Sequence, residues 1–172
     1  MMWRRASLVC VSAFAMLLIG ASGTGNRTPL VVYNASPSVP VGFYRLRRAE
    51  RLAIGDLVVL RVPEVYQDLL SDRGYLPPGV PLIKRVAGLA GDHVCTRDGL
   101  VFLNGRPLVR PLERDALGRP MPLWRGCRPL REQEFFAVIE EAETSLDSRY
   151  LGPLDRGLIV GKAAPLWTFD PS

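Results

Sequence analysis

Histidine occurs once in the 172 residues, at position 93, lysine twice and cysteine three times. A hydrolase that used an imidazole base would have only His93, which follows Gly91-Asp92 in a turn, where a lone histidine is ordinarily solvated. Neither Cys95 nor Cys127 has a second cysteine or a histidine at zinc-ligand spacing, so no metal site is expected. Among the 22 basic residues the two lysines are Lys84 and Lys162, and the formal net charge of +5 is therefore almost wholly arginine. The arginines are scattered, which argues against a nucleic-acid partner. Their densest group, Arg45, Arg47, Arg48 and Arg51, suits a solvated face or acidic lipid headgroups. No internal repeat is present, and helical periodicity is scant.

The apolar segment Ala6–Ala21 is also short. As a helix its roughly 16 residues span about 24 Å, against ~30 Å of bilayer hydrocarbon. It follows a charged start, Met1–Arg5, and ends in small residues, Gly20-Ala21-Ser22, that a processing peptidase could cut. A retained anchor and a cleaved signal both fit, and the anchor suits the downstream chemistry better. Either way Arg4 and Arg5 stay cytoplasmic and the remainder is exported, facing the periplasm from the inner membrane. The chain divides into residues 1–28 (start, membrane segment, linker) and one domain at 29–172, for which an apolar fraction of 48% is ample. Cys10 lies in the apolar segment, which leaves Cys95 and Cys127 to pair as a disulfide in an oxidising compartment.

Turn residues punctuate the exported part. Strands are expected at Leu30–Tyr33, Phe43–Leu46, Leu57–Val62, Pro81–Ala87, Val94–Arg97, Leu100–Leu103, Glu134–Glu140 and Gly157–Lys162. Asp98-Gly99 and Asn104-Gly105 read as hairpin turns. Glu64–Ser71 is the one good helix outside the membrane segment, with Val65, Leu69 and Leu70 on a face. Pro107–Pro129 reads as an irregular excursion within about 95–130, and Pro165–Phe169 as a tail. The fold class is mainly β.

Three stretches carry chemistry. In Ser36-Pro37-Ser38-Val39-Pro40 the prolines stiffen a turn and can aim a serine hydroxyl, although a Ser/Pro linker has the same composition. In Leu82-Ile83-Lys84-Arg85-Val86 a rare lysine lies inside a strand, sharing a face with Leu82 and Val86. Burial among aliphatic groups, with Arg85 adjacent, lowers the pKa of an ammonium and would make Lys84 a usable base. A lysine snorkelling from a strand edge is the alternative. In Ser145-Leu146-Asp147-Ser148-Arg149-Tyr150, Ser145 can orient that amine, and on an extended segment Asp147 and Arg149 share a face and can pair; a plain polar turn reads the same way. Lys162, between Gly161 and Ala163, has no comparable setting.

Together with Gly42-x-Tyr44, Gly55-Asp56-Leu57-Val58, Gly91-Asp92-x-Val94 and Gly152-Pro153, these stretches resemble, in order, the boxes of the signal peptidase I superfamily. The short Ser38-x-Pro40-x-Gly42-x-Tyr44 form and Arg73-Gly74-Tyr75-Leu76-Pro77 are similar to the TraF-type conjugative-transfer peptidases rather than to the housekeeping leader peptidase. That resemblance implies a signal-peptidase-like β-rich domain behind one N-terminal membrane helix and a Ser/Lys dyad. Ser38 is then the nucleophile, Lys84 the base, and Ser145 its orienting partner. Ser36 assists the oxyanion, and Asp147 and Arg149 support the site. It implies a pilin-like precursor as substrate, cut or cyclised, with the inner membrane and other conjugative-transfer (type IV secretion) proteins as partners, and no metal or cofactor. A general preprotein peptidase and a non-catalytic periplasmic adaptor are the rival readings.

Overall fold

The computed structural model describes residues 30–169, so the apolar segment and the 1–28 division lie outside the described residues. The Asx-Gly pairs fold as read. Asp98 and Gly99 (φ 50° and 70°) and Asn104 and Gly105 (50° and 78°) take left-handed backbone, as tight hairpin turns require. They join β5 (His93–Arg97), β6 (Leu100–Leu103) and β7 (Arg106–Val109), which with β8 (Cys127–Pro129) form an antiparallel sheet in the order β7-β6-β5-β8. Cys95 and Cys127 stand directly opposite in β5 and β8 and are joined as a disulfide. With the cysteines 32 positions apart, the cross-link restricts the unfolded chain by roughly 3–4 kcal/mol.

A larger antiparallel sheet carries the serine and lysine stretches. Its strands are β1 (Val31–Asn34), β2 (Val41–Arg47), β3 (Leu57–Leu60), β4 (Leu82–Gly88), β9 (Glu134–Val138), β10 (Leu154–Asp155) and β11 (Ile159–Phe169), in the order β1-β2-β11-β3-β4-β9-β10. Strand alternation gives the sheet two apolar faces. Val58, Leu60, Leu82, Val86 and Phe135 bury on one, with Leu70 of helix α1 (Glu64–Asp72) packed on it. Tyr44, Leu46, Val59, Ile83 and Ile139 bury on the other. Phe136 and Val138 then pack on Val94 and Val101, joining the two sheets. Among the described residues no helix is long and apolar enough to cross a membrane.

Two expectations are corrected. The segment beyond Lys162 is no tail. β11 continues to Phe169 and lies between β2 and β3, with the register shifting between Pro165 and Trp167, where a proline lacks the N–H to stay in the ladder. Residues 110–126 contain no strand or helix. β7 and β8 bracket them, and Arg114 bridges Pro120 in a small hairpin tied by hydrogen bonds from Met121 N–H to Glu113 O and from Asp115 N–H to Arg119 O. The Asp147–Arg149 segment is not extended: Asp147 caps a short helix, α2 (Ser148–Leu151), accepting the Arg149 N–H.

Candidate active site

Asn34, at the end of β1, sets the serine turn. Its side-chain amide donates to the carbonyls of Ser36 (2.7 Å), Val39 (3.0 Å) and Pro40 (3.2 Å), and its oxygen accepts the Ser36 N–H (3.1 Å). Pro40 O also accepts from the Tyr44 hydroxyl at 2.7 Å. Gly42 lets the next strand pass: its φ is +145°, and a Cβ there would sit 2.3 Å from Trp167 O of β11. The turn thus leaves Ser38 half-buried and Ser36 exposed, their hydroxyl oxygens 3.1 Å apart, with the Ser38 N–H 3.4 Å from Ser36 Oγ.

Lys84 reaches this turn from the middle of the sheet. It is 3% exposed, opposite Val58 in the β3–β4 ladder. Its Nζ lies 3.2 Å from Ser38 Oγ and 3.1 Å from Ser145 Oγ. Burial lowers the Lys84 pKa from 10.5 to about 8, with the Asp147 carboxylate opposing and the Arg149 guanidinium reinforcing the shift. Arg149, not the neighbouring Arg85, is therefore the cation that matters. The Arg85 side chain points away, donating to Gly55 O at the surface.

Asp147 and Arg149 are fully buried and pair at 2.8 Å. Asp147 also accepts the Ile139 N–H at 3.1 Å, while Arg149 donates to Ile139 O at 2.6 Å and Glu143 O at 3.2 Å. A buried ion pair holds when its remaining valences are met in this way. It locks the end of β9 to the segment bearing Ser145, so the pair acts on the site by holding that segment and by its charges near Lys84.

Ser36, Ser38, Lys84 and Ser145 open into one cleft of about 720 Å³, walled by β1, the 75–83 segment, the 112–121 hairpin and residues 144–150. His93 does not line it; it is exposed on β5, with Nδ1 3.4 Å from Cys95 Sγ. His93, Cys95 and Cys127 bring a nitrogen and two sulfurs within 4.8 Å, yet the sulfurs are bonded to each other and offer no thiolate. Lys162 pairs with Asp56 at 2.6 Å, away from the cleft.

Asn34 is the residue that sequence reasoning passed over. Its signal was an Asn closing a strand two residues before a Ser-Pro, an Asx-turn composition. Asn34→Leu, of similar volume, removes the side-chain donor from the carbonyls of Ser36 and Val39 and leaves Pro40 O to Tyr44 alone. It is expected to lower kcat/KM by at least about tenfold while the protein stays folded. Peptide cleavage measured alongside thermal unfolding checks this, and full activity in Asn34→Leu would show that the turn is set by its prolines alone.

The chain matches the family described as "Signal peptidase, peptidase S26" over residues 3–167. It is 31% identical to the plasmid transfer protein TraF of Escherichia coli, over 96% of this chain and 97% of that one. It is 34% identical to the conjugal transfer protein TraF of Agrobacterium fabrum (strain C58), over 96% and 93%. A solved signal peptidase I of Enterococcus faecalis V583 covers 66% of this chain and 97% of its own at 20% identity and a TM-score of 0.38, too loose a likeness to bear weight. With the family matched over nearly its whole length and TraF proteins similar from end to end, this chain belongs to the signal peptidase (peptidase S26) family, among its TraF-type members.

Proposed function

We propose that this chain is a membrane-tethered serine endopeptidase that processes an exported pilin-like precursor during conjugative transfer, with Ser38 as nucleophile and Lys84 as base. The observation that carries the reading is the buried amine of Lys84, 3.2 Å from a serine hydroxyl on a rigid turn that opens into a cleft. Neutral Lys84 takes the Ser38 proton as Oγ attacks the scissile carbonyl carbon. The tetrahedral oxyanion collapses, the C–N bond breaks, and Lys84 returns the proton to the leaving amine. The acyl-enzyme is then resolved by water, or by the substrate's own amino terminus to give a cyclic product. Ser145 holds the lysine lone pair toward Ser38. The Ser38 N–H and the Ser36 hydroxyl receive the oxyanion. No metal or cofactor enters these steps.

An apolar face supports the tether. Tyr33, Phe43 and Trp167 are neighbours across β1, β2 and β11 and are exposed, as are Val31 and Phe169, with Arg45 and Arg47 beside them on β2. Aromatic rings flanked by arginine suit a headgroup boundary, and this face begins just after the linker from the apolar segment. The test is labelling of the full-length protein with a serine-reactive acylating probe, followed by incubation with a pilin precursor and, separately, a generic Ala-x-Ala leader. One adduct on the Ser38 peptide and preferred cleavage of the pilin precursor are expected, and a cyclic product would weigh one water less than the linear one. Preference for the leader would favour a general preprotein peptidase. A protein neither labelled nor active would be an adaptor.

A further inference from the structure

Arg73-Gly74-Tyr75-Leu76-Pro77 takes no part in the chemistry above, yet it is tied to a segment some forty residues away. Gly74, at φ +70°, ends α1 and turns the chain so that Tyr75 points at the 113–121 hairpin. The Tyr75 hydroxyl donates to Asp115 Oδ2, which also takes Arg119 Nε at 2.6 Å, and the Arg119 guanidinium lies 5.3 Å from the Tyr75 ring centre. Arg119 and Arg73 cross-brace the two segments: Arg119 donates to Arg73 O at 3.2 Å and Arg73 to Pro120 O at 2.6 Å. Asp115 Oδ1 closes the hairpin tip on the N–H groups of Leu117 (2.9 Å) and Arg119 (2.8 Å). Burial pushes the Asp115 carboxyl up, but hydrogen bonds from Tyr75 and Arg119 outweigh this and hold it below the usual carboxylate range. At its root the hairpin is fixed by the Leu112 N–H, which donates to the Tyr150 hydroxyl of α2 at 2.9 Å.

The braced hairpin faces the catalytic turn across the cleft. It contributes Leu112, Met121, Arg114 and Asp115 to a lining that also holds Leu76 and Val80 of the 75–83 segment. Met121 Sδ lies 3.5 Å from the Tyr75 hydroxyl oxygen. A cavity of about 720 Å³ has room for several side chains of an extended peptide, and it suits an apolar stretch. We propose that the 112–121 hairpin, held from behind by Arg119, is the specificity-determining wall of the cleft and selects substrates carrying bulky apolar side chains away from the cut. The proposal rests on the peptidase reading. Arg119 is not part of the cleft lining; it is a positioning residue that acts through Asp115. Without it, an Asp115 carboxylate loses its counter-charge at the edge of an apolar wall.

The test uses the full-length protein and two internally quenched peptides with alanine on both sides of the cut. One peptide carries leucine at the outer positions, the other serine. Wild type is expected to bind the leucine peptide more tightly. Arg119→Gln should raise KM for the leucine peptide by about tenfold, leave kcat within about twofold and scarcely affect the serine peptide. Arg119→Lys should recover most of the loss, since it keeps the charge. Tyr75→Phe, which removes one hydroxyl, should shift the same ratio in the same direction by about threefold. A leucine-to-serine preference unchanged in both Arg119→Gln and Tyr75→Phe would overturn the proposal, as would a fall in kcat for both peptides with KM unmoved. If wild type takes no acylating probe and cuts neither peptide, the peptidase reading fails separately. Fluorescence anisotropy of the uncut leucine peptide then still decides about the wall, because Arg119→Gln must weaken that binding.

Discussion

Lys84→Arg is expected to lose at least about a thousandfold in turnover while keeping its fold. The swap preserves the charge and most of the stem, so a lysine that served only as a cation would tolerate it. A guanidinium does not deprotonate in a protein, so a base would not. The position of Lys84 explains why it can act. At 3% exposure, with burial first and the Arg149 guanidinium second drawing its pKa to about 8 against the pull of Asp147, roughly one amine in ten is neutral at pH 7, compared with about one in three thousand for an ordinary lysine. The kcat/KM profile of wild type should therefore rise with a single deprotonation near pH 8. Stability carries the matching sign. The folded-state pKa lies below the unfolded value of 10.5, so the unfolded chain binds more protons between about 8 and 10.5, and stability rises with pH across that window. Below it the charged amine costs the fold about 3 kcal/mol. Lys84→Met should consequently be inactive and, near neutral pH, more stable than wild type. Thermal melts from pH 6 to 10 and a pH–rate profile check both parts. A Lys84→Arg protein cutting at a tenth of the wild-type rate would end the Ser/Lys reading.

What could be read in the sequence was local. Asp98-Gly99 and Asn104-Gly105 carry their turn geometry in two residues each, and β5, β6 and β7 follow from them. Lys84 stood out because an aliphatic strand surrounds a residue that the chain otherwise replaces with arginine. What could not be read depends on distant partners. In the sequence a strand ends at Lys162 and Pro165–Phe169 reads as a tail; only the neighbouring β2 shows that a register shift absorbs the proline. The brace joining Tyr75 to Asp115 and Arg119 spans forty positions, and no local period announces it. Asp147 and Arg149 were read as a pair for the wrong reason. They meet as a cap and the first turn of α2, not as alternate residues of a strand. Alternation already turns Arg85 to the other face; that the cation near Lys84 is Arg149, brought from sixty-five positions on, only the fold shows.

Ser38→Ala should reduce turnover at least about ten-thousandfold, to the level left by binding and oxyanion stabilisation alone. Ser36→Ala should cost about a hundredfold, the scale of one lost oxyanion donor. The two serines are separable because they meet different partners. Lys84 Nζ is 3.2 Å from Ser38 Oγ, whereas Ser36 Oγ bonds to Ser38, 3.1 Å from its hydroxyl and 3.4 Å from its N–H. Neither change should disturb the turn. Asn34 grips Ser36 through its backbone N–H and carbonyl, which alanine keeps, so stability should stay within about 0.5 kcal/mol of wild type. Ser36→Ala should also retain the rise in rate near pH 8, since the Lys84–Ser38 contact is untouched. The acylating probe supplies a second readout: it should label Ser36→Ala slowly and Ser38→Ala not at all. A Ser38→Ala protein that still cuts and is still labelled, beside an inert Ser36→Ala, would reverse the two roles. Ser36 would then have to reach Lys84 by a shift of the turn that the three carbonyl bonds of Asn34 resist.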